Sequence, residues 1–280
     1  MTDYDPAEVA IKPAATVMLV DDRPDLKVLM MRRDANTVFA GGMWVFPGGS
    51  VDSSDDHADF QSISEHRTDE EASQLLGLES GGLGYYIAAI RECFEEAGVL
   101  LARFKGADKA VSLTDAMHTK KFEDYRDHVN DGTLDFLDFL QAEDLIVDAG
   151  EMHYIAHWIT PLGPPRRFNA RFFITRMPRD QEPIHDNRET VHAEWCSPDE
   201  ILQKFESGEM VLMTPTLRMI RSLSLFNSTD EVMQAAAANQ SDERVRVDTS
   251  SNELLLPGQD GYESGSLEIE SGWIRLRPLT

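Results

Sequence analysis

Three glutamates fall within one turn of a single amphipathic segment. In Ile87-Ala88-Ala89-Ile90-Arg91-Glu92-Cys93-Phe94-Glu95-Glu96-Ala97-Gly98-Val99, Glu92, Glu95 and Glu96 stand at i, i+3 and i+4, which are neighbours on a helix surface. Ile87, Ile90, Phe94 and Ala97 fall on the opposite face, so the pattern predicts a helix with a core side and an acid side. Gly98 supplies a stop. Carboxylates this close repel one another, and a hard divalent cation bound through oxygen would offset the repulsion. The plainer reading of the same spacing is a solvated acidic face. Arg91 cannot be a base, because a guanidinium stays protonated. It either holds carboxylates in place or makes a surface i,i+4 pair with Glu95.

A second motif lies upstream. Val45-Phe46-Pro47-Gly48-Gly49 reads as the end of a strand, Met43 to Phe46, turning at Pro-Gly-Gly. Together the two segments resemble the Nudix box, G-x5-E-x7-R-E-U-x-E-E-x-G-U, where U is a bulky aliphatic residue. Gly49 is the opening glycine, and Arg91, Glu92, Cys93, Glu95, Glu96, Gly98 and Val99 fill the second half, with Cys93 at the first U. The first half departs from the pattern. Between Gly49 and Arg91 lie 41 residues where the uninterrupted box has 13, so about 28 extra residues split it. Asp55 stands where the first glutamate would be counted, but the insertion leaves Asp52, Asp56 or no residue open for that place. The Asp/Ser-rich turn favours reading Asp55 as an ordinary loop carboxylate.

A split box of this kind is similar to one Nudix subgroup, the enzymes like the peroxisomal coenzyme A diphosphatases. Phe46-Pro47-Gly48-Gly49-Ser50-Val51-Asp52, the box helix through Leu101, His157-Trp158-Ile159-Thr160-Pro161, and Arg166-Arg167-Phe168 followed by Phe172-Phe173 all share its look, over about residues 14 to 225. The resemblance implies an α/β fold, the Nudix α/β/α sandwich with a mixed sheet. It implies a metal-dependent hydrolase that cleaves the diphosphate of a nucleoside diphosphate linked to another moiety. Mg2+ or Mn2+ held by Glu92, Glu95 and Glu96 would neutralise phosphate charge and lower the pKa of a bound water. The Gly48-Gly49 turn would lie beside the substrate. Family enzymes often take a general base from a later loop. Glu189, at the end of His185-Asp186-Asn187-Arg188-Glu189, is the candidate, and Glu194 is the alternative.

The subgroup suggests coenzyme A or an acyl-CoA as substrate. The motif that often precedes the box in such enzymes, L-L-T-x-R-[SA]-x3-R-x3-G-x3-F-P-G-G, is met in part. Arg33, Gly42 and Phe46 to Gly49 fit, while the threonine, the small residue and the second arginine do not. ADP-ribose or a nucleotide sugar is the alternative substrate, and a non-catalytic ligand sensor or interaction module is the alternative class. The intact second half of the box favours the enzyme.

Composition narrows the partners. The net charge of -24 over 280 residues argues against a nucleic-acid-binding surface, which needs a basic patch. It also requires something local to attract an anionic substrate. From Gly163 to Arg179 the chain carries Arg166, Arg167, Arg171, Arg176 and Arg179 with no acid among them. Arginine pairs well with phosphate, so Arg166, Arg167 and Arg171 are candidate substrate contacts. The other reading pairs them with the protein's own carboxylates. No stretch approaches 18 apolar residues, so no membrane span is expected. Two cysteines, Cys93 and Cys196, give no disulfide framework. With neither a secretory signal at Met1 to Asp5 nor a terminal Ser-Lys-Leu, a cytoplasmic location is the expectation. A homodimer is left open.

The elements that must position these residues can be read coarsely. Strands are expected at Thr16 to Val20, Lys27 to Met31, Met152 to Thr160, Asn169 to Met177 and Thr190 to Trp195. Thr68 with Glu71 signals a short helix ending near Gly77, inside a box insertion over about residues 50 to 84. Long loops in compact domains are often lids, and this insertion is expected to shape access to the site more than to support the core. Residues 112 to 141 read as two helices, with Ser112 as a cap and Leu113 in the first apolar stripe. Ser197-Pro198 starts another helix, and Thr214 to Phe226 a further one. The organisation expected is a Nudix domain over 14-226 and a C-terminal extension over 227-280, ending in a hairpin around Ser271-Gly272.

Overall fold

The computed structural model describes residues 5, 8–37, 40–186, 188–248, 250–251, 254–255, 260–267 and 272–279. β1 (Ile11–Asp22) and β2 (Leu26–Arg33) form an antiparallel hairpin; β3 (Trp44–Val45) pairs with β2 and β4 (Gly48–Ser50) with β1. The box insertion follows. It holds a 3-10 turn over Ser53–Asp56, α1 (Phe60–Ile63), β5 (Ser64–Glu65) and α2 (Asp69–Leu76). Thr68 and Glu71 cap α2 reciprocally, as their spacing predicts. The box helix is α3 (Gly82–Ala97), ended by Gly98 at φ +66°.

After it come β6 (Ala102–Phe104), α4 (Ala116–Asn130), α5 (Phe136–Ala142) and β7 (Leu145–Asp148). The cap of α4 is Asp115, which accepts from the Met117 and His118 amides, not Ser112. Leu113 therefore precedes the helix. Then follow β8 (His153–Ile159), β9 (Arg167–Arg176), β10 (Thr190–Cys196), α6 (Pro198–Glu206), α7 (Thr214–Leu223) and α8 (Thr229–Ala237). The described C-terminal strands are β11 (Glu243–Arg244), β12 (Arg246–Val247), β13 (Leu254–Leu255), β14 (Ser266–Leu267) and β15 (Trp273–Ile274).

Among the described residues the main sheet runs β10-β2-β1-β9-β8-β15-β11, with β3 on β2 and β4 on β1. The β1–β9 pair is parallel and the neighbouring pairs are antiparallel, so the sheet is mixed. Alternate residues of β1 face opposite ways. Ala15, Val17 and Leu19 pack with Ile87, Ile90 and Phe94 of α3. Met18 and Val20 pack with Ile201, Ile220 and Val232 of α6, α7 and α8. Helices thus cover both faces, which makes an α/β/α sandwich. The turn of the expected terminal hairpin, with residues 268–271, lies outside the described residues. Trp273–Ile274 pairs with β8 and β11, and Ser266–Leu267 with β12.

The insertion is not an open lid. Phe60, Ala72, Leu76 and Leu83 are buried in the same core as α3. A Cβ on Gly82 would fall 2.2 Å from the Ser73 amide nitrogen, so α2 and α3 meet at backbone distance. The Arg275 and Arg171 guanidiniums donate to the Leu75 and Leu76 carbonyls at the end of α2. What looked like a polar, Gly-rich loop carries a small apolar face, and core packing overrides its composition.

Candidate active site

The split box is rejoined in space. Arg91 on α3 donates Nε to Asp55 Oδ1 at 2.8 Å and Nη2 to Asp55 Oδ2 at 3.0 Å. Nη2 also reaches the Ser50 carbonyl at 3.0 Å, and Nη1 reaches Glu92 at 3.0 Å and Glu95 at 3.1 Å. Asp55 is 2% exposed, and its carboxylate also accepts from the Asp52 amide. The reading of Asp55 as an ordinary loop acid is therefore corrected: it is the buried partner of Arg91, in the place the box gives its first glutamate. Burial alone would lower the Arg91 pKa, but the bond to Asp55 and the charges of Glu92 and Asp55 outweigh it and hold the proton more firmly than usual.

The glycine turn closes on the same helix. The Gly48 amide donates to Glu96 Oε2 at 3.0 Å. A Cβ on Gly48 would fall 2.4 Å from the Ala15 carbonyl oxygen, and one on Gly49 would fall 2.4 Å from Glu92 Oε1. Only glycines let β4 lie flat on β1 while the Glu92 carboxylate rests against it.

Glu92, Glu95 and Glu96 share one face, as their spacing predicts. Burial pushes the Glu92 carboxyl up to about 7 against the opposing pull of Arg91. Burial raises Glu95, again against Arg91. It raises Glu96 well above the ordinary range, helped by the Glu92 charge. Asp55, Glu92, Glu95 and Glu96 bring four carboxylates to two guanidiniums, Arg91 and Arg33. That excess of buried negative charge, carried by oxygen donors, fits a hard divalent cation. Among the described residues no three His, Cys, Asp or Glu side chains already form a group that could hold a metal ion. Arg91 draws Glu92 and Glu95 to itself, and the Gly48 amide holds Glu96.

Glu189 stands at the rim of this cluster. Arg33 from β2 lies between the two, with Nη2 2.7 Å from Glu189 and Nη1 3.6 Å from Glu96. The Glu189 side chain is 60% exposed. Asp186 shapes its loop by accepting from the Arg188, Glu189 and Thr190 amides and the Thr190 hydroxyl. Glu194 is instead engaged by Lys204 at 2.6 Å.

Arg126 was not legible as a site residue. It lies on α4, 9% exposed, and donates Nε to the Glu95 carbonyl at 2.9 Å and Nη2 to the Glu96 carbonyl at 2.8 Å. A cation at a helix C-terminus satisfies orphan carbonyls and complements the dipole. The arginine run is not gathered at the glutamates. Arg167 is buried with Nε on the Thr160 carbonyl. Arg171, 3% exposed, reaches Asn169 and the Leu76 carbonyl and stacks 4.4 Å over the Tyr85 ring. Arg176 pairs with Asp230, while Arg166 and Arg179 are exposed.

Residues 78–223, just over half of the chain, match the family model described as the NUDT19 Nudix domain. The chain is 27% identical over 235 residues to human acyl-coenzyme A diphosphatase NUDT19, covering 74% of this chain and 62% of that protein. It is 26% identical over 313 residues to the Gallus gallus protein of the same name, covering 95% and 78%. The chain thus spans less than two thirds of the human relative's length. A NUDIX hydrolase from Alicyclobacillus acidocaldarius shares the fold, with a TM-score of 0.66 at 24% identity over 81% of this chain and 97% of that one. By its box, its sandwich and this family match, the chain belongs to the Nudix family, in the group defined by the NUDT19 Nudix domain.

Proposed function

We propose that the chain is a divalent-metal-dependent diphosphatase that cleaves coenzyme A or an acyl-CoA to 3′,5′-ADP and 4′-phosphopantetheine or its acyl form. The observation that carries the reading is the reassembly of the box: Arg91 bonded to Asp55 across the insertion, beside Glu92, Glu95 and the Gly48-held Glu96. The substrate follows the relatives, whose names state acyl-coenzyme A diphosphatase.

Glu92, Glu95 and Glu96 would hold Mg2+ or Mn2+, which supplies charge neutralisation at the diphosphate and an acidified water. Arg91 fixes Glu92 and Glu95 by its Nη1 and is itself fixed by Asp55. The Gly48 amide fixes Glu96. Arg33 takes the place expected of the arginine run as the cation beside the carboxylates, and its Nη2 orients Glu189. Glu189 is the carboxylate we assign to proton removal from the attacking water, since Arg33 ties it to the rim of the carboxylate cluster with its side chain 60% exposed, whereas Glu194 is paired with Lys204. Turnover of coenzyme A, an acyl-CoA, ADP-ribose and a nucleotide sugar, with products separated chromatographically, tests the reading. Coenzyme A or its acyl form is expected to show the highest kcat/KM; faster cleavage of ADP-ribose would reject the substrate, and no metal-dependent product from any of them would favour a sensor.

A further inference from the structure

A cleft of about 360 Å³ opens behind the box helix, and none of Glu92, Glu95 and Glu96 lines it. Phe94, Leu113, Phe122 and Ile184 give it apolar walls. Ile184 is half exposed there, an apolar side chain with no core to join. Two cationic groups line it, the exposed Arg179 at the rim and the buried Arg126 in the wall. The Nε and Nη2 of Arg126 are spent on the neutral carbonyls of Glu95 and Glu96. Its Nη1, beside Gly98 at the same end of α3, has no hydrogen-bond partner among the described residues. A guanidinium that is nine-tenths buried without a carboxylate in contact is an incompletely compensated charge, and burial pulls its pKa below the usual value.

Charge at the rim selects the ligand. Glu123, Asp180 and Glu182 also line the cleft and outnumber Arg179 at its rim, Glu182 being paired with Arg23 at 3.2 Å. Such a rim repels a polyanion while leaving one buried cation to be matched, and the walls want hydrocarbon. We propose that this cleft binds an apolar monocarboxylate, its carboxylate on Arg126 and its chain against Leu113 and Ile184, and that occupancy is transmitted to the catalytic carboxylates through the last turn of α3. The physical link is short. The nitrogens of Arg126 that do not face the ligand hold the carbonyls of Glu95 and Glu96. The Ile184 amide donates to the Ala97 carbonyl at 2.8 Å, and the chain from Ile184 leads to Glu189. A ligand that shifts Arg126 shifts the backbone of two proposed metal ligands.

Calorimetric titration of the full chain with sodium octanoate, octanol and inorganic phosphate tests binding without any need for turnover. Octanoate is expected to bind about tenfold or more tightly than either of the others, as a charge-assisted hydrogen bond warrants. Thr114→Trp, at an exposed position in the cleft wall, is expected to weaken octanoate about tenfold with melting unchanged. Arg126→Gln should weaken it as well, but it removes the cap of α3, so Thr114→Trp carries the test. In turnover assays octanoate is expected to change kcat with KM constant in the wild type and to have no effect on Thr114→Trp. Equal binding of octanol, tighter binding of phosphate, or octanoate affinity unaltered in Thr114→Trp would overturn the site. A purely competitive effect on KM would place octanoate in the substrate site and overturn the coupling.

Discussion

Arg91 and Asp55 meet edge to edge, Nε to Oδ1 at 2.8 Å and Nη2 to Oδ2 at 3.0 Å, although 36 residues separate them. The pair is buried on both sides, and it anchors the first half of the box to the second. Without Asp55 the Arg91 charge is still met by Glu92 and Glu95 at Nη1, so the loss is that of the hydrogen bonds to a charged partner, about 1.5–3 kcal/mol, below the cost of a fully stranded buried charge. Asp55→Ala is therefore expected to lower unfolding free energy by about 1.5–3 kcal/mol in urea, and to lower turnover with it. Asp56→Ala, one residue on and exposed, should stay within about 0.5 kcal/mol of wild type. Equal effects of the two substitutions would mean that Arg91 is not anchored by Asp55.

The buried carboxylates tie stability to pH and metal. Burial lifts Glu92 from an ordinary 4.5 to about 7, and Glu95 and Glu96 move the same way. Between those values the folded, metal-free chain keeps a proton that the unfolded chain has released. This contribution is fully present below the unfolded value and is lost as pH rises through the folded one. Metal needs the ionised form, so its affinity should rise over the same window. Without metal the melting temperature should be lower at about pH 8 than at about pH 6, and saturating Mn2+ should stabilise more at the higher pH. A stabilisation by Mn2+ that does not change with pH would contradict the carboxylate set.

Glu189 is held by two residues of different roles, Arg33 at its carboxylate and Asp186 at its backbone. Glu189→Gln is expected to reduce kcat about 10²- to 10⁴-fold, the usual range for a lost general base. Asp186→Ala should give a partial loss in kcat, since the loop loosens but the carboxylate remains. Metal affinity, read by calorimetry, should change in neither. A wild-type kcat in Glu189→Gln would remove it from the mechanism.

How much of this was legible in the sequence depends on where the information lay. The box helix, its acid face, its Gly98 stop and the Thr68–Glu71 cap are local patterns, and each formed as read. The main strands were found from short apolar runs. Asp55 was missed as a partner because a count across an insertion carries no distance; only the 3-10 turn over Ser53–Asp56 aims it at Arg91. Arg126 was missed because its task is to meet carbonyls 30 residues away, and backbone acceptors leave no trace in side-chain type. The arginine run misled in the opposite sense. Arg167 and Arg171 lie in β9 of the main sheet, buried with the Thr160 and Leu76 carbonyls as acceptors, while Arg33, the last residue of β2, faces the carboxylates.

The insertion gives a sharp contrast between composition and packing. Replacing residues 57–80 with a short Gly/Ser linker keeps Asp55 but removes Phe60, Ala72 and Leu76 from the core and uncovers α3. Each such large-to-small loss costs about 2–5 kcal/mol for the bulky side chains, against a typical total of about 5–15 kcal/mol. The variant is expected to lose cooperative thermal unfolding. A variant that melts like wild type and alters only KM would show that the insertion is a lid after all.

The most direct measurement is the rate of coenzyme A cleavage at saturating Mg2+ or Mn2+, wild type and Glu96→Gln side by side. Glu96→Gln is nearly isosteric, so the Gly48 amide keeps an acceptor and the fold should persist. The wild type is expected to release 3′,5′-ADP and 4′-phosphopantetheine, with release abolished by chelator, and Glu96→Gln to be slower by about a hundredfold or more, the scale of several kcal/mol that a catalytic metal contributes. Cleavage that continues in excess chelator, or at the wild-type rate in a folded Glu96→Gln, would contradict it.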